Sequence, residues 1–351
     1  MSIYANSPSA RITVLTILSL FVVADVFGNI LVCLVVLRNP SMRTAMNLIL
    51  VNLALCDITV AIGMTSKYIL TELISHPTGD FGKYLCTFIT SGNLTWVGGL
   101  ASVFCLVSLS YERYSAIVNP YDIHKRITKR KAVWFSVASW IMSMIICVPE
   151  FIGYDYYITR QGCFQKWPFP WLPKAYSMFW LFVVGIIPIS LMVFFYSRIV
   201  HTLWFQSKRD PELAQQAALR YRKSVTKMLI VISVIYIIGW MPTLCVFVLV
   251  FWSKAFQVGQ VIGAVTAILV VFNSAVNPYA YALQSKEFRK RLKSYIFCCQ
   301  CRLVVLPVND TYTQHSVALN QPHVNKAFVA DQNIELQSYN KRSQTCLKKE
   351  G

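Results

Sequence analysis

The chain has 351 residues, of which 56% are hydrophobic and only 14% are charged. Soluble domains average about 25% charged residues, so an ordinary soluble globular protein is excluded. The 33 Lys and Arg against 15 Asp and Glu give a formal net charge of +18, a balance that would suit nucleic acid or an anionic membrane surface, and its placement decides between them.

The apolar residues fall in long runs, each able to cross a hydrocarbon core of about 30 Å as a helix. Seven are predicted: Ile12–Leu37, Asn47–Leu70, Tyr84–Tyr114, Ala132–Ile152, Ala175–Val200, Ser224–Phe251 and Val258–Leu283. They are continuous rather than alternating, which favours helices over barrel strands. The first run starts too late and is too long for a signal peptide and is read as an anchor. The expected fold is therefore an all-α membrane protein, a seven-transmembrane-helix bundle.

Basic residues gather in alternate connections. Arg38 and Arg43 follow the first run; Lys125, Arg126, Lys129, Arg130 and Lys131 follow the third; Lys208, Arg209, Arg220, Arg222 and Lys223 precede the sixth. Lys286, Arg289, Lys290, Arg291 and Lys293 follow the seventh, whereas the opposite side has isolated charges such as Lys83 and Lys174. This asymmetry puts the N-terminus outside and the C-terminus in the cytosol. The charge thus sets topology and favours anionic membrane lipids rather than nucleic acid. The expected organisation is an extracellular N-terminus (1–11), a transmembrane domain (12–283), a short amphipathic eighth helix (284–297) and a polar, disordered cytosolic tail (298–351).

Several polar residues stand where hydrocarbon would penalise them. Asn29 lies in the first run, Asp57 in the second, Ser102 in the third, and Asn273 and Asn277 in the seventh. Each alone reads as a helix–helix hydrogen bond. As a set, one carboxylate with neutral oxygens suits a small hard cation, with Asp57 as its metal ligand. At the inner end of the third run, Glu112, Arg113 and Tyr114 read equally as a snorkelling arginine with its counter-charge. Pro188, Pro242 and Pro278 interrupt three runs and bend their helices, and Trp240 sits beside the second bend.

Among 11 cysteines, no metal-ligand spacing stands out. Cys86 and Cys163 fall on the oxidising outer side. Cys298, Cys299 and Cys301 follow the basic amphipathic segment, where palmitoylation and plain cytosolic thiols are both open readings.

Taken together these positions resemble the rhodopsin-like (class A) G-protein-coupled receptors over about residues 12–297. The resemblance is carried by Gly28-Asn29, "NLALCD" ending at Asp57, "ERY" at Glu112–Tyr114 with Pro120 after it, and Trp140 in "VASWIM". It continues in Pro188 with Tyr196, "WMP" at Trp240–Pro242, "NPYAY" at Asn277–Tyr281, and "SKEFRKRL", which resembles the eighth helix with Phe288 toward lipid. "FGKYLC" resembles the first outer loop leading to the disulfide cysteine, which implies a Cys86–Cys163 bridge.

The resemblance implies a plasma-membrane receptor and not an enzyme. Extracellular ligand binding would activate a heterotrimeric G protein, with arrestin and receptor kinases acting on the tail. Glu112, Arg113, Tyr114, Tyr196, Trp240, Pro242, Asn277, Pro278 and Tyr281 would form the coupling and activation switch. Asn29, Asp57, Ser102, Asn273 and Asn277 would form an allosteric sodium site, Asp57 being the carboxylate that the motifs put deep in the bundle. No cofactor is required. Two features depart from the pattern. Cys86 precedes Arg113 by two residues more than is common, so a bulge is expected in the outer third helix, leaving open which of Asn93, Thr95 and Trp96 faces a ligand. Arg222 stands where many relatives carry an acid that restrains the arginine, so raised basal activity is expected.

A light-sensing, opsin-like receptor is the alternative, but Val271 occupies the chromophore lysine's position, so retinal attachment is not expected. No acid lies between Ser91 and Ala101 to pair an amine. Lys67 suits an acidic or carbonyl-bearing ligand, or else snorkels outward or pairs with Glu72. Lys67, Asn93, Thr95, Trp96 and Trp240 are the ligand-pocket candidates, and a small molecule, lipid or short peptide is the expected ligand class. A transporter would show repeat symmetry or paired broken helices, and none is legible.

Overall fold

The computed structural model describes residues 7–122, 124–152, 154–157, 162–205, 213–253, 260–284 and 288–293. Seven helices in it are long and apolar enough to cross a membrane. We label them α1 (Pro8–Arg38), α2 (Ala45–Leu73), α3 (Gly79–Val118), α4 (Lys129–Phe151) and α5 (Leu172–Phe205), then α6 (Leu213–Trp252) and α7 (Gln260–Gln284).

Local chemistry sets several of the boundaries. The Ser7 hydroxyl accepts from the Ala10 N–H, and Pro8 takes the first turn, so α1 starts before its apolar run. Thr44 and Thr128 cap α2 and α4 in the same way, accepting from the N–H groups of Asn47 and Lys131. In sequence these caps lie in polar connections, which is why hydropathy alone begins α1 and α4 too late.

The central helix is α3, which packs against α2, α4, α5 and α6. The α2–α3 contact is close because glycines line it. A Cβ at Gly63 would fall 2.4 Å from the Thr95 backbone nitrogen, and one at Gly98 would fall 2.8 Å from the Cys56 carbonyl. Small residues allow this approach, as membrane bundles require where packing drives association. The outer faces of α4 and α6 instead present large apolar side chains such as Trp134 and Ile238, the arrangement a lipid-facing surface needs.

Two of the proline bends are chemically completed by neighbouring helices. Pro188 cannot supply the helical N–H for the Val184 carbonyl four residues earlier, and α5 widens there into a π-type turn over Leu181–Ile186. The Tyr236 hydroxyl on α6 donates to that carbonyl at 2.6 Å. Pro278 likewise leaves the Ser274 carbonyl without its α-helical donor, and Asn29 Nδ2 on α1 lies 3.5 Å from it. The neighbouring Gly28 accepts the proline ring itself, since a Cβ there would sit 2.9 Å from Pro278 Cγ. The Gly-Asn pair of α1 and the Asn-Pro pair of α7 are thus two halves of one contact.

The extra residues of α3 are absorbed between Cys86 and Asn93. Cys86–Thr90 form a π-type turn, and Gly92 takes φ +80° before the helix resumes at Asn93, a conformation glycine adopts without penalty. Outside the helices, β1 (Tyr154–Tyr157) and β2 (Gly162–Gln165) form an antiparallel hairpin pairing Tyr156 with Cys163, an element hydropathy did not reveal. The Cys86–Cys163 disulfide, with Cα atoms 5.6 Å apart, ties β2 to α3.

Residues 288–293 are helical, and the rest of the expected eighth helix lies outside the described residues. Phe288 corrects the expectation that it faces lipid. It is 5% exposed and belongs to the hydrophobic core, because burying a ring against the bundle removes its surface as effectively as lipid does.

Candidate functional site

Three groups of the sequence-selected residues come together at different depths. Nearest the outer side, α2, α3, α6 and α7 enclose a cavity of about 60 Å³. Lys67, Thr95, Trp96 and Trp240 line it, joined by Tyr68, Gly92 and Thr243. Lys67 lies on a π-type turn, Thr65–Leu70, which rotates α2 locally relative to a regular helix. Its stem packs over Gly92, where a Cβ would fall 2.8 Å from Lys67 Cδ. Glu72 does not hold Lys67: it pairs with Arg11.

Asn93 is not among the residues that line this cavity. Its amide donates to the carbonyls of Thr87 and Glu150 at 2.9 and 2.8 Å, so it fastens α3 to α4. The helix restart after Gly92 turns Asn93 toward α4 and leaves Thr95 and Trp96 on the cavity side.

Beneath the cavity, aromatic rings interlock. The Trp96 ring lies 5.0 Å from Trp180, 6.0 Å from Trp240 and 5.5 Å from Phe247. Trp240 is 1% exposed and lies over Gly99, where a Cβ would come within 2.4 Å of Trp240 Cζ2. Trp96 therefore packs against α6 on either side of Pro242.

In mid-bundle, Asn277 Nδ2 donates to Asp57 Oδ2 at 2.8 Å. Asp57 is not alone there, which corrects the sequence reading. Asp25 on α1 is fully buried and its carboxylate accepts from Asn29 Nδ2. Its single acidic position in a long apolar run was the available signal. Oxygens of Asp25, Asn29, Asp57, Ser274 and Asn277 are buried without a protein partner. That donor set, two carboxylates with neutral oxygens, fits a small hard cation. Ser102, expected among them, turns its hydroxyl back to the Gly99 carbonyl at 2.8 Å, a bond within its own helix. Asn273 is buried at the α6–α7 contact, where a Cβ on Gly239 would fall 2.7 Å from its own Cβ.

At the inner end, a cavity of about 430 Å³ is lined by Glu112, Arg113, Ser115, Arg126 and neighbours. Arg113 is held by Glu112, with Nη2 to Oε1 at 2.8 Å. The Tyr196 hydroxyl lies 3.1 Å from Ser233 Oγ on α6, while the buried Tyr281 hydroxyl has no protein partner. The Tyr114 ring lies tilted at 41° to that of Phe195, with centroids 5.2 Å apart. Arg222 is exposed. In the connection between α3 and α4, Asp122 accepts from the His124 and Lys125 N–H groups. The Lys125 side chain, 3.0 Å away, holds the Asp122 carboxyl below its ordinary range.

Residues 28–281 match the model of the 7 transmembrane receptor (rhodopsin family). The chain belongs to this family. As a rhodopsin-family receptor it is a multi-pass membrane protein that signals through G proteins. It is 26% identical over 309 residues to a QRFP-like peptide receptor of Branchiostoma floridae, covering 83% of this chain and 79% of that one. It is 27% identical over 312 residues to Neuropeptide FF receptor 1 of Rattus norvegicus, covering 81% and 70%. It is 28% identical over 322 residues to the [Phe13]-bombesin receptor of Bombina orientalis, covering 84% and 79%.

Proposed function

We propose that this receptor is activated by an extracellular peptide and passes the signal to a heterotrimeric G protein at the Arg113 cavity. The observation that carries the peptide reading is the naming of two of these relatives as a peptide receptor and a neuropeptide receptor. The light-sensing alternative is not favoured, since Val271 stands at the lysine's position and is buried among apolar residues. A screen of peptide libraries on receptor-expressing cells, read by G-protein dissociation, tests it. Activation by one or more peptides is expected; activation by retinal and light alone would overturn it.

In this reading the N-terminus is extracellular, the tail cytosolic and the receptor in the plasma membrane. The peptide enters above the cavity of Lys67, Thr95, Trp96 and Trp240, beside the hairpin fastened by Cys86–Cys163. Displacement of Trp240 releases α6 at Pro242, and α7 adjusts at Asn277, Pro278 and Tyr281. Tyr281 then moves toward Tyr196, and Arg113 leaves Glu112 for the G protein. Asp57, with Asn29, Asn277, Ser274 and Asp25 around it, would hold sodium in the resting state. The ion would supply positive charge that offsets the burial of carboxylates, and a resting-state preference makes it a negative regulator of agonist. Palmitoylation of Cys298, Cys299 and Cys301, and recognition of the phosphorylated tail by arrestin, fall on residues outside those described.

A further inference from the structure

We infer that the outer cavity takes a carboxylate, so the activating ligand presents a free acid rather than a neutral amide at its deepest point. The inference rests on the peptide reading for the ligand's route of entry and names the chemistry of the group that arrives.

The lining supplies donors. Trp240 carries an indole N–H that can only donate, and that nitrogen is buried with no partner. The Thr95 and Thr243 hydroxyl oxygens on the same cavity wall are also buried without a partner. Trp240 and Thr95 are 1% and 6% exposed, the Thr95 hydroxyl lying against Gly63 of α2, and buried polar groups in folded proteins are rarely left unmet. Lys67 adds a full positive charge at the rim.

Glu72, the acid nearest Lys67 in sequence, is occupied by Arg11, and Lys67 has no ion pair among the described residues. Its ammonium lies 5.6 Å from the Tyr68 ring centroid. The acid whose charge reaches it is Glu150, buried on α4, without an ion pair between them. None of the residues lining the cavity is acidic.

An acceptor-only group with negative charge satisfies this wall, and a carboxylate is such a group. A carboxamide offers one neutral acceptor oxygen to the lysine and the indole N–H, and its own N–H groups can donate only to the threonine hydroxyls, so it lacks the charge that the carboxylate brings to Lys67. The volume of about 60 Å³ suits one small head group; a water molecule's share of liquid is about 30 Å³. Positioning is supplied by Gly92, whose missing side chain leaves the path for the Lys67 stem.

The carboxylate has two sources in a peptide, the chain terminus or an Asp or Glu side chain. Purified full-length receptor in lipid nanodiscs is titrated with N-acetyl-phenylalanine, its carboxamide, and N-acetyl-glutamate α-amide, and binding is read by intrinsic tryptophan fluorescence and thermal shift. At least tenfold tighter binding of an acid than of the carboxamide is expected, and whichever acid binds more tightly identifies the source. Lys67→Met should remove the preference and Lys67→Arg retain part of it, at unchanged thermal stability because the side chain is exposed. Equal binding of acid and carboxamide, binding of none, or an undiminished preference in Lys67→Met overturns the inference. Activation of cells by amidated peptides, with neither acid bound, would overturn it while leaving the peptide reading intact.

Discussion

Tyr236→Phe removes one oxygen from a fully buried ring and tests whether α6 completes the bend in α5. The Tyr236 hydroxyl donates to the Val184 carbonyl at 2.6 Å, and Tyr236 is 1% exposed. Pro188 has withdrawn the α-helical donor from that carbonyl, so the substitution leaves a buried acceptor unmet, at a cost of about 1–3 kcal/mol. Pro188→Ala restores a backbone N–H four residues along. If the account is right, Tyr236→Phe costs markedly less in the Pro188→Ala background, and the double-mutant cycle shows a coupling of about 1 kcal/mol or more. The measurement is chemical or thermal unfolding of purified receptor in one lipid environment, with all four variants at equal concentration. Equal losses in both backgrounds would refute the exchange of donors, and no loss in the native background would refute the hydrogen bond's contribution.

Gly28→Ala places a methyl 2.9 Å from the Pro278 ring. A rigid ring cannot yield cheaply, so a loss of about 1–3 kcal/mol by overpacking is expected, measured as reduced thermal stability and surface expression; wild-type stability would count against the paired-motif account. Asp57→Asn should abolish the effect of sodium on agonist affinity, measured in sodium against N-methyl-glucamine at equal ionic strength. In wild type that effect is expected at about 5- to 150-fold, the usual allosteric range. Asp25→Asn should reduce it, since Asp25 adds a second buried carboxylate with an unpartnered oxygen; an unchanged sodium response in both variants would remove the cation from the site. Cys86→Ser should lower surface expression severalfold, because the bridge fastens the hairpin to α3; undiminished expression would make the bridge dispensable.

The seven spans were legible because hydrocarbon demands long apolar runs, and against those runs Asp57, Asn277 and three prolines stand out. What lies within a helix turn was not legible. Hydropathy cannot tell an α-turn from a π-type turn, so the wide turn at Thr65–Leu70 that carries Lys67 was unreadable, as was the restart at Gly92 that turns Asn93 away. Ser102 was placed by motif alignment, and its bond to the Gly99 carbonyl is a choice of rotamer. Asp25 was legible in principle, an acid four residues before Asn29 and on the same helical face, but no motif drew attention to it. The hairpin has eight residues paired over two short strands, too brief for periodicity to register.

The central claim is that this chain catalyses nucleotide exchange on a G protein through Arg113. Purified receptor in nanodiscs, with a peptide agonist and a panel of heterotrimeric G proteins, should accelerate uptake of a labelled GTP analogue on at least one of them. Arg113→Ala should remove most of that acceleration at unchanged peptide affinity. No acceleration on any heterotrimer by the agonist-bound receptor, or full acceleration by Arg113→Ala, would contradict the account.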